Sequence, residues 1–411
     1  MPRILRIHNR LIIGGPTLNV LNLTKYLQPD FETMLIVGEK EHHEQDAGAL
    51  ATKMNIQPVV IPEMGRSINA LRDYKTYNKL KKIIKEFKPD IVHTHAAKPG
   101  AVGRLAASAC GVPVIVHTYH GHVFHSYFGK AKTTIFLNIE RALAKRTDKL
   151  IAISRQQQKE LSADFRIADA GKFKTIPLGF ELDRFTTDID IKRKQFRTEF
   201  NIADDEIAIG ITGRLVPVKN HNLFLEGLAF VLKNSSKKIR AFIIGDGETR
   251  EAIEQKAAAL KIPFAKFGED YNLAKLLTFT SWRTDIDVIN AGLDIVCLTS
   301  LNEGTPVSLI EAQTTNKPIV STRVGGIQDI VIENETALLS DITDTMAFGK
   351  NLLSLVNDDA LRNRMGKQGA DWVMERYSVQ RLANDFKQLY YHLLEQKGIV
   401  LKEKDFLKKL S

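Results

Sequence analysis

The sequence predicts an α/β protein made of two doubly wound, Rossmann-like domains. The chain has 411 residues, of which 44% are hydrophobic, and a single core stops growing at roughly 250–300 residues. Short apolar segments alternate with longer amphipathic segments from end to end, which is typical of parallel sheets covered by helices. This alternation is interrupted once, at a polar stretch over residues 185–205, and then begins again. We therefore expect two domains of similar architecture.

Apolar segments rich in Val and Ile predict the strands of both domains. In the first half they cover residues 4–9, 33–38, 58–62, 90–96, 114–120 and 149–154, with helices predicted over 17–27 and 70–87. In the second half they cover residues 206–214, 240–247, 264–269, 293–300, 318–322 and 336–340, followed by a long helical region over 359–396. We place the first domain at 1–190 and the second at 200–375, and expect a C-terminal helix within 376–411 to cross back to the first domain.

The composition excludes several classes of protein. No apolar run approaches the roughly 18 residues of a membrane span. The two cysteines, Cys110 and Cys297, lie in dissimilar segments, so no disulfide framework is expected and a reducing cytoplasm fits. Lys and Arg total 58 against 48 Asp and Glu, a net charge of +10. This charge favours an anionic partner, such as a nucleotide, a nucleic acid or a membrane surface.

Two acidic residues, Glu303 and Glu311, follow the strand predicted at 293–300. Gly304 permits a tight turn, and Pro306 predicts the start of a helix. Backbone N–H groups at a helix start bind phosphate, and a carboxylate further along accepts hydrogen bonds from ribose hydroxyls. Acids near a helix start are common as solvated or capping residues, and this segment alone favours that interpretation.

Two cations, Arg214 and Lys219, follow Gly213 at the end of another predicted strand. A guanidinium binds phosphate through two hydrogen bonds, and an ammonium acts as a point charge, so the pair suits a diphosphate. An ordinary pair of surface cations remains the alternative.

Residues 114–128 are rich in histidine: His117, His120, His122 and His125. Their spacing matches no zinc pattern and no carboxylate is close in sequence, so we predict no metal site. His120 ends a predicted strand, where a side chain that contacts a ligand is expected. Packing or surface exposure accounts for the other three.

Glycines also mark places where the backbone approaches a ligand. Gly14 and Gly15 follow the first strand and precede a predicted helix. The chain has neither the G-x-G-x-x-G fingerprint nor a P-loop, and GDGETR at 245–250 is a G-x-G that often forms only a turn. Dinucleotide-dependent oxidoreductases and P-loop enzymes are therefore disfavoured.

Together these segments resemble the retaining glycosyltransferases of family 4 (group 1), which have the GT-B fold of two Rossmann-like domains facing across a cleft. The resemblance covers nearly the whole chain, and its motifs include the early glycine pair, HTHAAKPGAVGRLAA, HTYHGH, IPLGFELDRF, GRLVPVKN, the E-x7-E segment and VGGIQDIV. HTHAAKPGAVGRLAA and NEGTPVSLIEA are most similar to enzymes of capsule and exopolysaccharide assembly.

The resemblance implies a role for each matching residue of the second domain. Arg214 and Lys219, after Gly213, hold the donor's diphosphate and stabilise the leaving nucleotide. Glu311 binds the ribose hydroxyls, and Glu303 contacts hydroxyls of the donor sugar.

The resemblance assigns residues outside this group as well. His120 contacts the sugar near the reacting carbon, and the loop at Gly14 and Gly15 approaches the phosphates. One departure lies after Glu303, where many members have Gly-Phe-Gly and this chain has Gly304-Thr305-Pro306. Pro306 has no N–H, which leaves the N–H groups of Thr305 and Val307 as phosphate donors.

The expected reaction is transfer of a sugar from a nucleotide-sugar, with UDP as the expected nucleotide and an N-acetylhexosamine among the candidate sugars. The resemblance favours front-face attack with retention, and the basic pair makes a metal or other cofactor unnecessary. The expected acceptor is a saccharide or a polyprenyl-linked saccharide in cell-surface polysaccharide synthesis.

We expect a cytoplasmic protein. Two segments suggest that it associates peripherally with the anionic inner face of the plasma membrane. The helix predicted at 70–87 is basic, and VFHSYF at 123–128 carries three aromatic residues. A solvated helix face and ordinary packing explain the same residues.

Two other functions remain open. A nucleotide-sugar epimerase of the same fold would need different acid and base residues, and the E-x7-E segment argues against it. A non-enzymatic, basic binder of nucleotides or nucleic acid is the second, although no nucleic-acid-binding motif is present and we expect no nucleic acid partner.

Overall fold

The computed structural model describes residues 1–12, 14–40, 47–65, 69–120, 130–266 and 275–399. The chain divides into two compact units, one formed by Met1–Phe180 with Val379–Ser411 and the other by Glu181–Ser378. The division between the units therefore precedes the polar stretch at 185–205, most of which is a helix of the second unit. It also falls within the region 359–396, where two separate helices meet at Ser378.

The described part of the first unit has a seven-stranded parallel sheet in the order β3-β2-β1-β4-β5-β6-β7. Its elements are β1 (Arg3–Ile7), α1 (Gly15–Tyr26), β2 (Glu32–Gly38), α2 (Gly48–Lys53), β3 (Val59–Ile61), α3 (Ala70–Phe87), β4 (Ile91–His95), α4 (Ala97–Ala109), β5 (Val114–Tyr119), α5 (Lys130–Lys145), β6 (Lys149–Ala152), α6 (Arg155–Lys159), a π-helical turn (Glu160–Asp164), a 3₁₀ turn (Ala170–Lys172) and β7 (Phe173–Thr175).

The described part of the second unit repeats the arrangement, with seven parallel strands in the order β10-β11-β9-β8-β12-β13-β14. Its elements are α7 (Asp183–Thr186), α8 (Ile189–Glu199), β8 (Glu206–Thr212), a 3₁₀ turn (Pro217–Lys219), α9 (His221–Asn234), β9 (Lys238–Ile244), α10 (Arg250–Ala259), β10 (Phe264–Ala265), β11 (Leu277–Phe279), α11 (Ile286–Gly292), β12 (Ile295–Leu298), α12 (Val307–Thr314), β13 (Ile319–Thr322), α13 (Ile327–Ile330), β14 (Ala337–Ser340), α14 (Thr345–Asn357) and α15 (Asp359–Tyr377). The last helix, α16 (Val379–Gln396), belongs to the first unit.

Both faces of each sheet are covered, which explains why the strands are apolar along their whole length. In β1 the side chains alternate between two buried layers. Ile4 packs in the layer that contains Phe386 and Leu389 of α16, whereas Leu5 packs with Leu80 of α3. The alternation places Arg6 on the same side of the sheet as Ile4, and Arg6 is completely buried.

Every strand predicted from the sequence overlaps an observed strand. Two strands were missing from the prediction: β7 and β11, of three residues each. Such short segments carry too little periodicity to stand out. In the described part of the chain, no helix is both long enough and apolar enough to cross a membrane.

Candidate active site

The candidate site of the second unit lies at the carboxyl ends of β8 and β12. These strands are direct neighbours, with Ile211 paired to Cys297. The strand that follows β8 in sequence, β9, lies on its other side. The connections after β8 and β12 therefore leave the sheet in opposite directions, and such a switch point is where open α/β sheets bind ligands.

The loop after β8 and the loop after β12 meet through Lys219 and Glu303. The ammonium of Lys219 donates to Oε1 of Glu303 at 2.5 Å, and the hydroxyl of Ser300 donates to the same oxygen at 2.6 Å. Backbone bonds also join the loops, because the Leu301 N–H donates to the carbonyl of Val218 at 2.8 Å. Two residues that the sequence separates widely are thus held together as a charged pair.

Gly325 and Gly326 pack closely against the backbone of the loop that carries Glu303. Gly325 has φ +48°, and a Cβ on Gly326 would lie 1.7 Å from the carbonyl oxygen of Gly304. The Gly326 N–H also donates to the Glu303 carbonyl at 3.0 Å. Only glycine permits this approach of two backbones. The sequence showed the VGGIQDIV motif but gave no reason for it.

Arg214 is exposed and has no side-chain hydrogen bond or ion pair with any residue that the structure describes. Its loop is nevertheless fixed. A Cβ on Gly245 would lie 2.1 Å from the carbonyl oxygen of Gly213, and the Leu215 N–H donates to the carbonyl of Asp246 at 3.0 Å. The GDG segment therefore fixes the position of this loop. The Arg214 guanidinium has no hydrogen-bond partner in the described part of the chain.

Helix α12 begins beside this loop. Pro306 is its N-cap residue, and no side chain caps its first turn. The N–H groups of Val307 and Ser308 have no acceptor in the described part of the chain. A Cβ placed on Gly304 would meet no described atom within 4 Å. Donors with no partner at a helix N-terminus favour an anion.

Glu311 lies one turn further along α12, on a largely buried part of the helix. The pKa of Glu311 is raised to about 7, chiefly by burial and in part by Asp287, whereas Arg184 acts in the opposite sense. The nearest Arg184 nitrogen is 3.7 Å from Oε1 of Glu311. The Glu311 carboxylate therefore has no close hydrogen-bonded cation in the described part of the chain. This leaves it able to accept hydrogen bonds from a ligand's hydroxyls.

In the first unit, the predicted residues lie at the carboxyl ends of β1 and β5. Gly14 is the N-cap residue of α1, and Gly15 is its first residue. His120 directly follows β5, and its Nε2 lies 2.9 Å from Nδ1 of His95, the last residue of β4. Burial lowers the pKa of His120 to about 3, and His8 contributes to the shift.

The other histidines of residues 114–128 have different fates. His117 is buried within β5 and contacts the Thr94 hydroxyl at 2.8 Å, as the packing interpretation expects. His122 and His125 lie outside the described residues, as does VFHSYF at 123–128. In the ranges that the structure describes, no three His, Cys, Asp or Glu side chains are grouped to hold a metal ion.

Comparison with known proteins decides the family. A model of Glycosyltransferase Family 4 matches residues 13–184, and one of glycosyl transferases group 1 matches residues 192–372. The UDP-Gal:alpha-D-GlcNAc-diphosphoundecaprenol alpha-1,3-galactosyltransferase of Escherichia coli is 30% identical over 84% of this chain and 86% of its own. The chain belongs to glycosyltransferase family 4. It is an enzyme of the hexosyltransferase type, as the resemblance implied.

A further relative and two solved structures are also similar to this chain over most of its length. The capsular polysaccharide biosynthesis glycosyltransferase CapM of Staphylococcus aureus is 23% identical over 82% of this chain and 85% of its own. A glycosyltransferase from Rickettsia africae has a TM-score of 0.79 at 18% identity, covering 96% of this chain and 98% of its own. HepE of Anabaena in complex with UDP has a TM-score of 0.76 at 19% identity, covering 95% and 100%. These likenesses confirm the GT-B fold.

Proposed function

We propose that this family 4 enzyme transfers a hexose or N-acetylhexosamine from a UDP-sugar, with retention, to a polyprenyl-diphosphate-linked saccharide in cell-surface polysaccharide synthesis. The observation that carries the proposal is the arrangement at the β8–β12 switch point. There the Lys219–Glu303 pair, an unengaged Arg214 and the N-terminus of α12 lie on neighbouring loops. The acceptor class follows that of the E. coli relative, a galactosyltransferase that acts on GlcNAc-diphosphoundecaprenol.

The proposed chemistry follows from the charges of these groups. Breaking the bond between the anomeric carbon and the diphosphate oxygen leaves negative charge on the nucleotide. Arg214, Lys219 and the free N–H groups of α12 stabilise that charge, and electrostatic stabilisation of this kind is a large term in catalysis. The sugar becomes cationic. Glu303 is proposed to contact it, and the family resemblance assigns His120 to the sugar as well. The acceptor hydroxyl then attacks the face that the nucleotide leaves and gives its proton to the departing phosphate oxygen, so the anomeric configuration is retained.

We propose further that the reaction needs no divalent metal. The positive charge that Mg²⁺ or Mn²⁺ supplies to a diphosphate elsewhere is supplied here by Arg214 and Lys219. Activity should persist after treatment with EDTA and should not rise when metal is restored. Loss with EDTA and recovery with Mg²⁺ would contradict this part of the proposal.

A donor panel tests the function. UDP-glucose, UDP-galactose, both UDP-N-acetylhexosamines, GDP-mannose and ADP-glucose are supplied with a short-chain polyprenyl-diphosphate-N-acetylglucosamine, and transfer is followed by mass spectrometry. We expect product from one UDP-sugar, and an α-linkage by NMR when the donor is α. Conversion of the donor's sugar to an epimer, with no transfer to any acceptor, would favour the epimerase instead. Stabilisation by single-stranded DNA and not by any nucleotide-sugar would favour the non-enzymatic binder.

The membrane association is also a proposal, and α3 supplies its support. Leu71 and Tyr74 are 77% and 66% exposed. Lys75 and Lys85 on the same helix are exposed and form no ion pair with described residues. Exposed apolar side chains beside free cations bind anionic lipid surfaces.

Vesicle sedimentation tests the association. The wild type should sediment with phosphatidylglycerol vesicles and less with phosphatidylcholine vesicles. The double variant Leu71→Ser/Tyr74→Ser should lose this binding, whereas Trp282→Ser, which removes a 64% exposed side chain from the other unit, should keep it. Equal binding by the double variant would remove α3 from the membrane surface.

A further inference from the structure

The first unit contains a buried cation without an acidic partner. The side chain of Arg6 is completely buried, and no carboxylate in the described part of the chain pairs with it. Its Nη1 lies 2.9 Å from Nδ1 of His93 and 3.3 Å from Nε2 of His95. A buried charge is costly unless it is paired. A guanidinium that contacts two histidines and the Tyr390 hydroxyl, but no carboxylate, among the described residues is therefore an unusual choice for packing alone.

Arg6 settles which nitrogen of His95 carries the proton. A guanidinium only donates hydrogen bonds and stays charged at every accessible pH. Nε2 of His95 must therefore accept, and the neutral ring carries its single proton on Nδ1. The neutral form is the relevant one, because burial, His93, His120 and Arg6 all lower the pKa of His95 well below its usual range.

The same reasoning passes from His95 to His120. Nδ1 of His95 lies 2.9 Å from Nε2 of His120, so the proton on His95 Nδ1 is donated to His120 Nε2. His120 is neutral as well, so its proton is on Nδ1. The opposite assignment would place the His95 Nε2–H against an Arg6 N–H at 3.3 Å, which is two donors facing each other.

The Nδ1 atom of His120 is buried and has no hydrogen-bond partner in the part of the chain that the structure describes. A buried donor without an acceptor is unfavourable until an acceptor arrives. We infer that Arg6, acting through His95, fixes His120 as an Nδ1–H donor for an oxygen of the substrate. Arg6 and His95 are thus positioning residues. The identity of that oxygen, on the donor sugar, rests on the proposed function, whereas the tautomer does not.

Conservative variants separate this relay from a packing role. His95→Asn keeps an N–H near the position of Nδ1, because the amide nitrogen of Asn is the same number of bonds from Cβ. His95→Phe keeps the ring shape and removes the donor. Tyr390→Phe is the matched control: its hydroxyl contacts Arg6 and lies 2.6 Å from Nδ1 of His93 in the same buried cluster, and it forms no hydrogen bond with His95 or His120.

The first measurement is the tautomer of His120 in the full-length enzyme without substrate. Protein labelled with ¹⁵N at histidine is studied by two-bond ¹H–¹⁵N correlation, with the His120 signal assigned through His120→Asn. We expect a protonated Nδ1 in the wild type, in Tyr390→Phe and in His95→Asn, and a shift toward the Nε2–H form in His95→Phe. A protonated Nε2 in the wild type would overturn the inference, even if no variant could be purified.

The second measurement is steady-state kinetics with the donor that the panel identifies. His95→Phe should lower kcat roughly 10- to 100-fold with a smaller change in donor KM, because a lone pair would replace the N–H that faces the substrate oxygen. His95→Asn should recover most of the loss, and Tyr390→Phe should stay near the wild-type rate. Normal kcat in His95→Phe would overturn the positioning role. If no donor reacts while the tautomers are as expected, the proposed function fails and the relay stands.

Discussion

The ammonium of Lys219 lies 2.5 Å from Oε1 of Glu303, although the two residues are 84 positions apart in the sequence. In the free enzyme each group of the expected site thus neutralises the other. Under the proposed roles, the donor's phosphate would compete with Glu303 for Lys219, and its sugar hydroxyls would compete with Lys219 for Glu303. The pair would then hold both charges in place until the whole donor arrives, and a fragment of the donor would engage only one of them.

Glu303→Gln should tighten binding of free UDP while it slows transfer. Free UDP lacks the transferred sugar that Glu303 is proposed to contact, so the carboxylate only competes with the phosphate for Lys219 and repels it. Releasing this competition should lower the Kd for UDP about 2- to 10-fold, the range of one hydrogen bond of roughly 0.5–1.5 kcal/mol. Calorimetry measures the change, with Glu375→Gln, an exposed substitution on α15, as the charge-matched control. Weaker binding of UDP by Glu303→Gln would mean that Glu303 does not compete with the phosphate.

Binding of the UDP-sugar should strengthen as the pH rises from 6 to 8. The pKa of Glu311 is raised to about 7, and two ribose hydroxyls donate best to the ionised carboxylate. The Kd should fall by up to about tenfold per unit of pH below the pKa and level off above it. A UDP-sugar is preferred to UDP as the ligand, because the terminal phosphate of UDP titrates in the same range. Glu311→Gln should bind weakly at every pH, and an identical pH profile in this variant would remove Glu311 from the ribose site.

Glu311→Gln should also stabilise the free enzyme above pH 7. An acid with a raised pKa binds more protons in the folded state between about 4.5 and 7, so its contribution to stability falls as the pH rises through that window and stays low above it. Glutamine does not titrate, so the variant keeps the free energy of unfolding that the wild type loses, which is up to about 3 kcal/mol.

Thermal unfolding at pH 8 and pH 5 measures this difference. The Tm of Glu311→Gln should exceed that of the wild type at pH 8, by about 2–4 °C for each kcal/mol, and the two should nearly coincide at pH 5. A lower Tm at pH 8 would show that the Arg184 contact outweighs the cost of burying the charge. The expected gain in stability with loss of binding is typical of functional groups.

Gly326→Ala should lower both stability and activity. The added Cβ would lie 1.7 Å from the Gly304 carbonyl oxygen, so the loop that carries Glu303 must move. We expect a loss of roughly 1–3 kcal/mol in the free energy of unfolding, as for overpacking, and a fall in kcat/KM with it. Gly171→Ala is the control, because a Cβ there meets nothing within 4 Å. Full activity in Gly326→Ala would show that the position of this loop does not matter for transfer.

The strand ends and their motifs could be predicted because they depend on local sequence. Buried parallel strands are apolar runs, and a ligand site at their carboxyl ends follows from the fold. A separate C-terminal helix was expected within 376–411, close to the observed break between α15 and α16 at Ser378, although neither glycine nor proline marks that break. The hydrophobic pattern simply continues while the partner changes, from the second unit to the first.

The contacts among the site residues lie beyond local sequence. Ser300 binds Glu303 only because the loop turns back on itself. Gly304 indicates a turn, but the run TSLNEG does not show which side chains that turn brings together. Arg6 and His95 are 89 residues apart. Arg6 lies within an apolar strand predicted from the sequence. Its position there was the signal that could have drawn attention to the histidines beside it.

The central claim is that Arg214 and Lys219 stabilise the leaving nucleotide, and kcat of Arg214→Ala tests it most directly. Arg214 has no partner to lose in the described part of the free enzyme, so the variant should fold normally. Removing the guanidinium should destabilise the transition state, in which negative charge grows on the diphosphate. At saturating donor and acceptor, kcat should fall by roughly 10²–10³ with a smaller rise in donor KM, and Arg214→Lys should recover only part of the rate. A kcat near that of the wild type, or a change confined to KM, would contradict the claim.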